Sequence, residues 1–285
     1  MSVSTPEPNQ EDSTLNSEEH ANAAETSSRD THRGIKRKNA FAELMAPKPA
    51  LPPVSTILAS RHHVRRDGLG AYVADPTGSP PGRVIYHNEA FVAINDMYPK
   101  ATVHTLLLPR SSRRRMHPFD AFEDTEFLAT VRAETTRLKR FCAKELQRRL
   151  GPGSAQDEQR EAVLRGDVEC AKGATLPAGR DWEREILVGV HALPSMNDLH
   201  VHVLSRDMVS ANMRHRKHYQ SFHTAFLVDL ADFPLPPDDP RRDPAVANSY
   251  LAHELRCWRC GRGFGNRFKE LKEHLTEEFE EWKRE

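Results

Sequence analysis

The chain has 285 residues, 38% hydrophobic and 29% charged, and its 41 Lys and Arg balance 41 Asp and Glu, so the formal net charge is zero. That length exceeds one average domain and predicts one main core with a smaller module and tails, while zero net charge excludes reading a nucleic-acid role from overall charge. No apolar run reaches membrane-spanning length, the polar N-terminus lacks a signal-peptide core, and four cysteines make no disulfide framework, which predicts a reducing compartment and no membrane partner.

Residues 1–58 read as a disordered tail: to about Arg33 they are Ser, Glu, Asn, Thr and Ala with almost no large apolar group to offset the entropy of ordering. The tail carries the basic cluster Lys36-Arg37-Lys38, which suits nuclear import or is a solvated charge run. The Phe41, Leu44, Met45 stripe that follows docks a repair-protein partner or packs on the folded body, and the sequence leaves both open.

The folded body, residues 59–231, opens with a short helix around Asp67, Leu69 and Tyr72, stopped by Asp75-Pro76-Thr77-Gly78. Two β-rich runs follow, Arg83 to Tyr86 and Ala90 to Ile94. The polar turn Asn95 to Lys100 leads to a third, Thr105 to Leu108, closed by Pro109, which together read as an antiparallel meander. Phe127, Leu128, Val131, Leu138 and Phe141 keep helical spacing within a stretch from Phe119 to Leu150 that predicts one long amphipathic helix, broken by Gly151-Pro152-Gly153. Residues 154–180 are polar, with room for one short helix. Ile186 to Val190 and Leu199 to Leu204 predict two more strands, so the fold class is α+β, an antiparallel sheet with a long helix packed on one face.

Alternation along the last strand sends Leu199, Val201 and Val203 into the core and His200 with His202 to the other face. Paired histidines on such a strand are buried structural groups, a metal pair, or catalysts. The preceding loop, from His191 through Ser195, Met196 and Asn197 to Asp198, brings a third imidazole and a hydroxyl to the same edge. Neutral imidazole is a competent nucleophile toward phosphorus, and a second imidazole can hold its tautomer.

Residues 232–247, Asp-Phe-Pro-Leu-Pro-Pro-Asp-Asp-Pro at their start, read as a proline-rich, semi-rigid linker. Residues 248–285 carry the spacing of a metal clamp. Cys257 and Cys260 stand two residues apart beside Gly261 and Gly263, and a helical stripe of Phe264, Phe268, Leu271, Leu275, Phe279 and Trp282 sets His274 and Glu278 on one face. Two thiolates, one imidazole and one carboxylate suit a single structural zinc ion, against the alternative of a surface Cys pair beside a charged helix. The module is expected to dock through Tyr250, Leu255 and Trp258.

The His-φ-His-φφ run after a Pro-Ser-Met loop resembles the histidine-triad (HIT) superfamily of nucleotide hydrolases and transferases. With Tyr98 to His104, Leu107-Leu108-Pro109 and the Cys-Trp-Arg-Cys finger added, the chain resembles the aprataxin family in its fungal form, from about Asp67 to Trp282 apart from the polar segment before Trp182. That resemblance implies removal of AMP from 5'-adenylated DNA ends through a covalent histidine–AMP intermediate, leaving a 5'-phosphate. Zinc would be structural, with no metal in the hydrolysis, and RNA–DNA junctions would be further partners. It implies His200 as nucleophile, His202 as the neighbour that polarises the phosphate, His191 as the acid toward the departing group, and Ser195, with Met196 and Asn197 of the same loop, around the phosphate oxygens. Asp96, Ile94 and Leu106 would line the nucleoside pocket, and Lys100 and Arg214 would contact phosphate. Two positions depart from the family: Asp198 stands where most members carry the leading histidine, and Arg65 stands where an aromatic wedge against the terminal base pair is expected.

Arginines offer a phosphate track in three places: Arg61, His62, His63, Arg65 and Arg66 before the core, Arg113 to Arg115 after the third strand, and Arg256, Arg259, Arg262 and Arg267 on the finger. The competing readings are a free-nucleotide or cap hydrolase of the same superfamily, a zinc-finger DNA-binding scaffold with an inactive histidine domain, and an interaction hub built on the tail.

Overall fold

Asp75 ends the first helix of the described residues as its sequence context requires. Its carboxylate accepts hydrogen bonds from the Thr77 hydroxyl at 2.9 Å and the Gly78 N–H at 2.8 Å, turning the chain out of α1 (Gly70–Ala74). The structure is a computed structural model that describes residues 66–170 and 173–285; the Lys36-Arg37-Lys38 cluster, the Phe41, Leu44, Met45 stripe and Arg61 to Arg65 lie outside the described residues.

Strands β1 (Val84–His87) and β2 (Phe91–Asn95) are joined by a turn in which the Asn88 side chain accepts from the N–H groups of Ala90 and Phe91 at 2.9 and 2.7 Å. Strand β3 (His104–Pro109) pairs with β2, setting Ile94 opposite Leu106 and Val92 opposite Leu108. The expected helix from Phe119 to Leu150 is two helices, α2 (Pro118–Ala121) and α3 (Thr125–Leu150). Asp124 makes the break: its backbone is extended and its carboxylate accepts from the Phe127 N–H at 2.9 Å, a cap that restarts the helix. The short helix for which the polar stretch left room is α4 (Glu158–Arg165), ended by Gly166 in the left-handed region at φ 81°.

Strands β4 (Ile186–His191) and β5 (Val201–Ser205), helix α5 (Arg216–His223) and strand β6 (Leu227–Asp229) complete an antiparallel sheet in the order β1-β2-β3-β5-β4-β6. β5 starts two residues later than expected, so His200 sits just ahead of the strand. Helix α6 (Pro244–Tyr250), the hairpin β7 (Leu255–Arg256) and β8 (Gly263–Gly265), and helix α7 (Phe268–Trp282) follow. Phe264, expected in the helical stripe, lies in β8 instead, because the hairpin closes before the helix begins.

Period-two alternation divides the sheet cleanly. Phe91, Ala93, Leu107, Val201 and Val203 pack against Leu128, Val131, Leu138 and Leu146 of α3. On the other face Val92, Ile94, Leu106 and Leu108 meet Leu69 and Val73 beside α1. Leu204 meets Tyr219 and Phe222 of α5, and Leu255, Phe264, Leu271 and Leu275 of the C-terminal module close the same cluster.

The segment after Asp232 is packed, in contrast to the expected spacer. Phe233 and Leu235 are buried in the main core. Arg132 on α3 donates to the carbonyls of Leu230, Ala231 and Phe233 at 3.1, 3.0 and 2.6 Å, and Arg242 donates to those of Leu235 and Pro236 at 2.8 and 2.9 Å. Prolines remove donors and leave acceptors, and two arginines supply what is missing.

The chain from Leu69 to Glu285 is one compact unit. The end of α7 is fastened to the main core through Arg180, which donates to the Trp282 carbonyl at 2.6 Å and to Glu185 at 3.1 Å. Its guanidinium also lies 4.5 Å from the Trp182 ring centroid and 4.9 Å from that of Trp282. Buried Asp157 holds this arrangement, accepting from Trp182 Nε1–H at 2.7 Å, Gln147 Nε2–H at 2.9 Å and the Arg180 N–H at 3.3 Å. Asp157→Ala strips three donors of one buried acceptor and is expected to cost about 2–4 kcal/mol. Urea unfolding should show this as a lower midpoint at unchanged slope.

Candidate active site and metal centre

The register of three central strands gathers the imidazoles. His202 on β5 lies opposite Gly189 on β4 and opposite Leu106 on β3, while His104 on β3 faces Leu204, so His104, His191, His200 and His202 share the face away from α3. Ring centroids are 4.3 Å apart for His191 and His202, 4.9 Å for His200 and His202, and 5.3 Å for His104 and His202. Phe222 from α5 lies against them, 4.9 Å from His191, 5.2 Å from His202 and 5.3 Å from His104.

Hydrogen bonds set each tautomer, that of His191 through a ring N–H on the Ser221 backbone, which leaves its Nε2 with a lone pair. Nδ1 of His200 is 2.7 Å from the Asp198 carbonyl, which can only accept, so Nδ1 carries the proton and Nε2 keeps its lone pair. The Lys100 N–H donates to Nδ1 of His104 at 3.1 Å, which places the His104 proton on Nε2; that proton faces Nδ1 of His202 at 3.0 Å and leaves the His202 proton on its own Nε2. Nε2 of His202 and Nε2 of His191 are buried without a hydrogen-bond partner among the described residues. Orphaned buried polar atoms on two neighbouring rings mark a place built for a polar ligand.

Burial is the largest influence on all four rings. It holds His104 down at about 4 and His191 at about 3, and it lowers His200 and, strongly, His202. Asp96, with a carboxylate oxygen 3.5 Å from His104 Nε2, pulls His104 the other way, and the Lys100 ammonium pushes His104, His191 and His202 further down. The site therefore presents neutral imidazoles near neutral pH.

The remaining predicted residues surround this cluster unevenly. Lys100 is buried, and Asp96 holds the Tyr98 N–H at 2.7 Å. Ile94 and Leu106 are buried under Leu69 and Val73, with Met196 packed against the same group. Asn197 is half-buried, whereas Ser195 and Arg214 are exposed, Arg214 in the loop ahead of α5 with its N–H on His218 Nδ1 at 3.3 Å. His104 and Phe222 escaped the sequence reading. The signal for His104 was its place two residues before Leu106 in a run of inward-facing side chains; Phe222 is separated from the triad by 20 residues and gave none.

The arginine clusters differ from the expected phosphate track. Arg113 is bound to Asp124, Arg114 to Asp198 at 2.8 Å, Arg256 to Glu254, Arg259 to Glu278, Glu281 and Glu285, and Arg267 to Glu270 at 3.1 Å. A guanidinium already paired with a carboxylate is a weaker partner for phosphate.

Four metal-type donors converge in the C-terminal module. The turn between β7 and β8 is closed by the Cys257 N–H on the Arg262 carbonyl at 2.9 Å and the Gly261 N–H on the Cys257 carbonyl at 3.0 Å, with Gly261 at φ 76° where only glycine is unstrained. Helix α7 brings His274 and Glu278 to the same point: Cys260 Sγ is 3.1 Å from His274 Nε2, which is 3.2 Å from Glu278 Oε1, and donor atoms of Cys257, Cys260, His274 and Glu278 lie within 4.8 Å of one another. Two sulfurs, one imidazole nitrogen and one carboxylate oxygen at this spacing fit tetrahedral zinc. Asp96, His104 and His202 also bring donors within 4.8 Å, but two of those nitrogens already share the proton described above.

Comparison with known proteins agrees with both centres. Residues 77–209 match the HIT domain, and residues 223–281 match the C2HE / C2H2 / C2HC zinc-binding finger. The chain is 31% identical to an aprataxin-like protein of Schizosaccharomyces pombe, covering 87% of this chain and 95% of that one, and 31% identical to an aprataxin-like protein of Saccharomyces cerevisiae, covering 75% and 95%. Among solved structures, the aprataxin ortholog Hnt3 in complex with DNA is similar at 29% identity and TM-score 0.59, over 76% of this chain and 96% of that chain.

Two measurements bear on these centres. Because folding lowers the imidazole values from an ordinary 6.5 to about 4 for His104 and about 3 for His191, the unfolded chain binds more protons in between. Stability is thus full above about pH 6.5 and falls as pH drops toward 4, by on the order of 1–2 kcal/mol per imidazole between pH 7 and 5. Urea titrations at the two pH values should show that slope reduced in His104→Gln. For the finger, Cys260→Ala should lower bound zinc by element analysis and expose the module to protease, since metal binding is part of its folding free energy.

Proposed function

This chain, which joins a HIT domain to a C2HE finger, belongs to the aprataxin family, and on that premise we propose that it removes AMP from 5'-adenylated DNA ends. The observation that carries the reading is the tautomer pattern: His200 offers an Nε2 lone pair while His202 and His191 hold unpartnered Nε2 atoms in the same buried pocket. A nucleophile with one N–H preset beside it for an oxyanion, and a further imidazole, His191, with an open Nε2, in a dry site are what displacement at phosphorus requires.

In the proposed sequence, the His200 Nε2 lone pair attacks the adenylate phosphorus. An N–P bond forms as the P–O bond to the DNA 5'-phosphate breaks, and the electron pair leaves on that phosphate. His202 Nε2–H and Lys100 hold the adenylate oxygens as negative charge builds. His191 faces the departing phosphate, whose developing negative charge favours uptake of a proton at the open Nε2, from which the ring can donate a hydrogen bond to the leaving oxygen. Water then attacks the same phosphorus, a P–O bond forming as the N–P bond breaks, so that the electron pair returns to His200 and the water's proton leaves with AMP to solvent. Every step runs through side chains of this chain, and the metal of the finger is assigned a structural task. Met196, packed against Ile94 and Leu106, supplies apolar surface for the nucleoside.

DNA as the substrate class is supported by the relatives solved with it, and RNA–DNA junctions with a 5'-adenylate fit the same chemistry. Nuclear residence is proposed on the Lys36-Arg37-Lys38 cluster and the DNA substrate. The test is a nicked duplex bearing a 5'-AMP end, with AMP release and acid-labile protein–AMP followed together. The wild-type chain is expected to yield AMP and a 5'-phosphate, and His200→Ala to lose at least about 10³-fold in turnover. Equal rates on AMP-lysine would move the reading to a free-nucleotide hydrolase. Binding of the duplex without turnover would move it to a DNA-binding scaffold.

A further inference from the structure

The position ahead of the two strand histidines is Asp198, and its surroundings are specific. Its side chain is 1% exposed and lies 2.8 Å from Arg114 Nη1, with Arg115 Nη1 at 3.5 Å from its other oxygen. Arg114 is tied to the same loop a second time, since its carbonyl accepts from the Leu199 N–H at 2.6 Å. Asp198 in turn supplies the carbonyl that takes the Nδ1 proton of His200 at 2.7 Å. A side-chain ion pair and a backbone hydrogen bond thus clamp residues 198 and 199 to the turn Ser112–Arg115, and the clamped carbonyl selects the tautomer of His200, two residues on.

We infer that Arg114 is a positioning residue for His200, acting through its ion pair with Asp198. The inference rests on His200 being the nucleophile. Two further observations point the same way. A carboxylate two residues from a group that must meet an anionic phosphate would repel it unless neutralised, and Arg114 is the closest cation to Asp198. The pair also sets how closely α1 can approach, because a Cβ on Gly70 would lie 3.3 Å from Asp198 Oδ2 and 3.6 Å from Arg114 Nη1. Arg114 itself is 30% exposed, so it can be replaced without opening the core.

The test uses the full chain in four forms: wild type, Arg114→Ala, Arg114→Lys and Asp198→Asn. Two-bond proton–nitrogen NMR of the His200 ring reports its tautomer without any substrate. Wild type is expected to show the proton on Nδ1 alone, Arg114→Ala a mixture of both tautomers, and Arg114→Lys, which keeps one donor, the wild-type pattern. On the 5'-adenylated nick, kcat should fall by about 10- to 100-fold in Arg114→Ala, as for a nucleophile displaced by a fraction of an ångström, with KM within twofold, and Arg114→Lys should recover most of it. Asp198→Asn, which keeps the carbonyl but loses the ion pair, should behave as Arg114→Ala does. Unchanged tautomer and unchanged kcat in Arg114→Ala would overturn the inference, as would a raised KM with kcat intact, which would make Arg114 a substrate contact. If wild type itself releases no AMP, the proposed function fails while the NMR comparison still decides what sets the His200 tautomer.

Discussion

The structure is organised around one constraint, the burial of four imidazoles on one face of an otherwise apolar sheet. A buried ring nitrogen without a partner is costly, so each nitrogen must donate, accept or await a ligand. The Asp198 carbonyl and the Lys100 N–H satisfy the outer members, His104 passes the order on to His202, and the nitrogens left over converge. Chemistry follows from that accounting. Desolvation keeps the rings neutral, which leaves His200 a free lone pair and His202 an orphaned N–H, the two features on which the proposed function rests.

The burial depends on α5, and α5 depends on the finger. Phe222 presses on three of the rings. On the same helix Tyr219 donates to the Arg256 carbonyl at 2.8 Å and accepts from the Trp258 N–H at 3.0 Å, on either side of Cys257, while Gln220 reaches the His253 carbonyl. The metal-binding turn and the imidazole face are therefore separated by a single helix. At its far end the finger is bolted to the main core through Trp282, Arg180 and Glu185, with Trp282 Nε1–H on Glu185 at 3.1 Å. A module of this size has little core of its own, and the cluster it shares with Leu204, Met208 and Tyr219 supplies what it lacks.

Charge is arranged locally. With equal numbers of acidic and basic residues, many arginines are spent on carboxylates and carbonyls, as Arg132 and Arg242 show along the strap that carries Phe233 and Leu235. Arg259 bridges Glu278, a metal-type donor, to Glu281 and Glu285, so the finger's own ion pairs steady the ligand set. Pairing of this kind leaves fewer free cations for nucleic acid than a count of arginines implies.

The amino-acid sequence by itself determined strands β1 to β5, the long helix, the face on which His200 and His202 stand, and the Cys257, Cys260, His274, Glu278 set, because alternation and helical spacing are local properties that each segment carries within itself, whereas the short strands β6 to β8 carry too little of either. Caps were legible only in part: Asp75 stopped its helix as read, whereas Asp124 divided a helix that the apolar spacing alone joins. Tertiary structure decided the rest. His104 became part of the relay only when β3 was placed beside β5, Phe222 reached the rings only when α5 folded over the sheet, and Asp198 found Arg114 across 84 residues of chain. These contacts depend on register and on which element covers which face, and both are settled by burial of the whole core and not by any one segment.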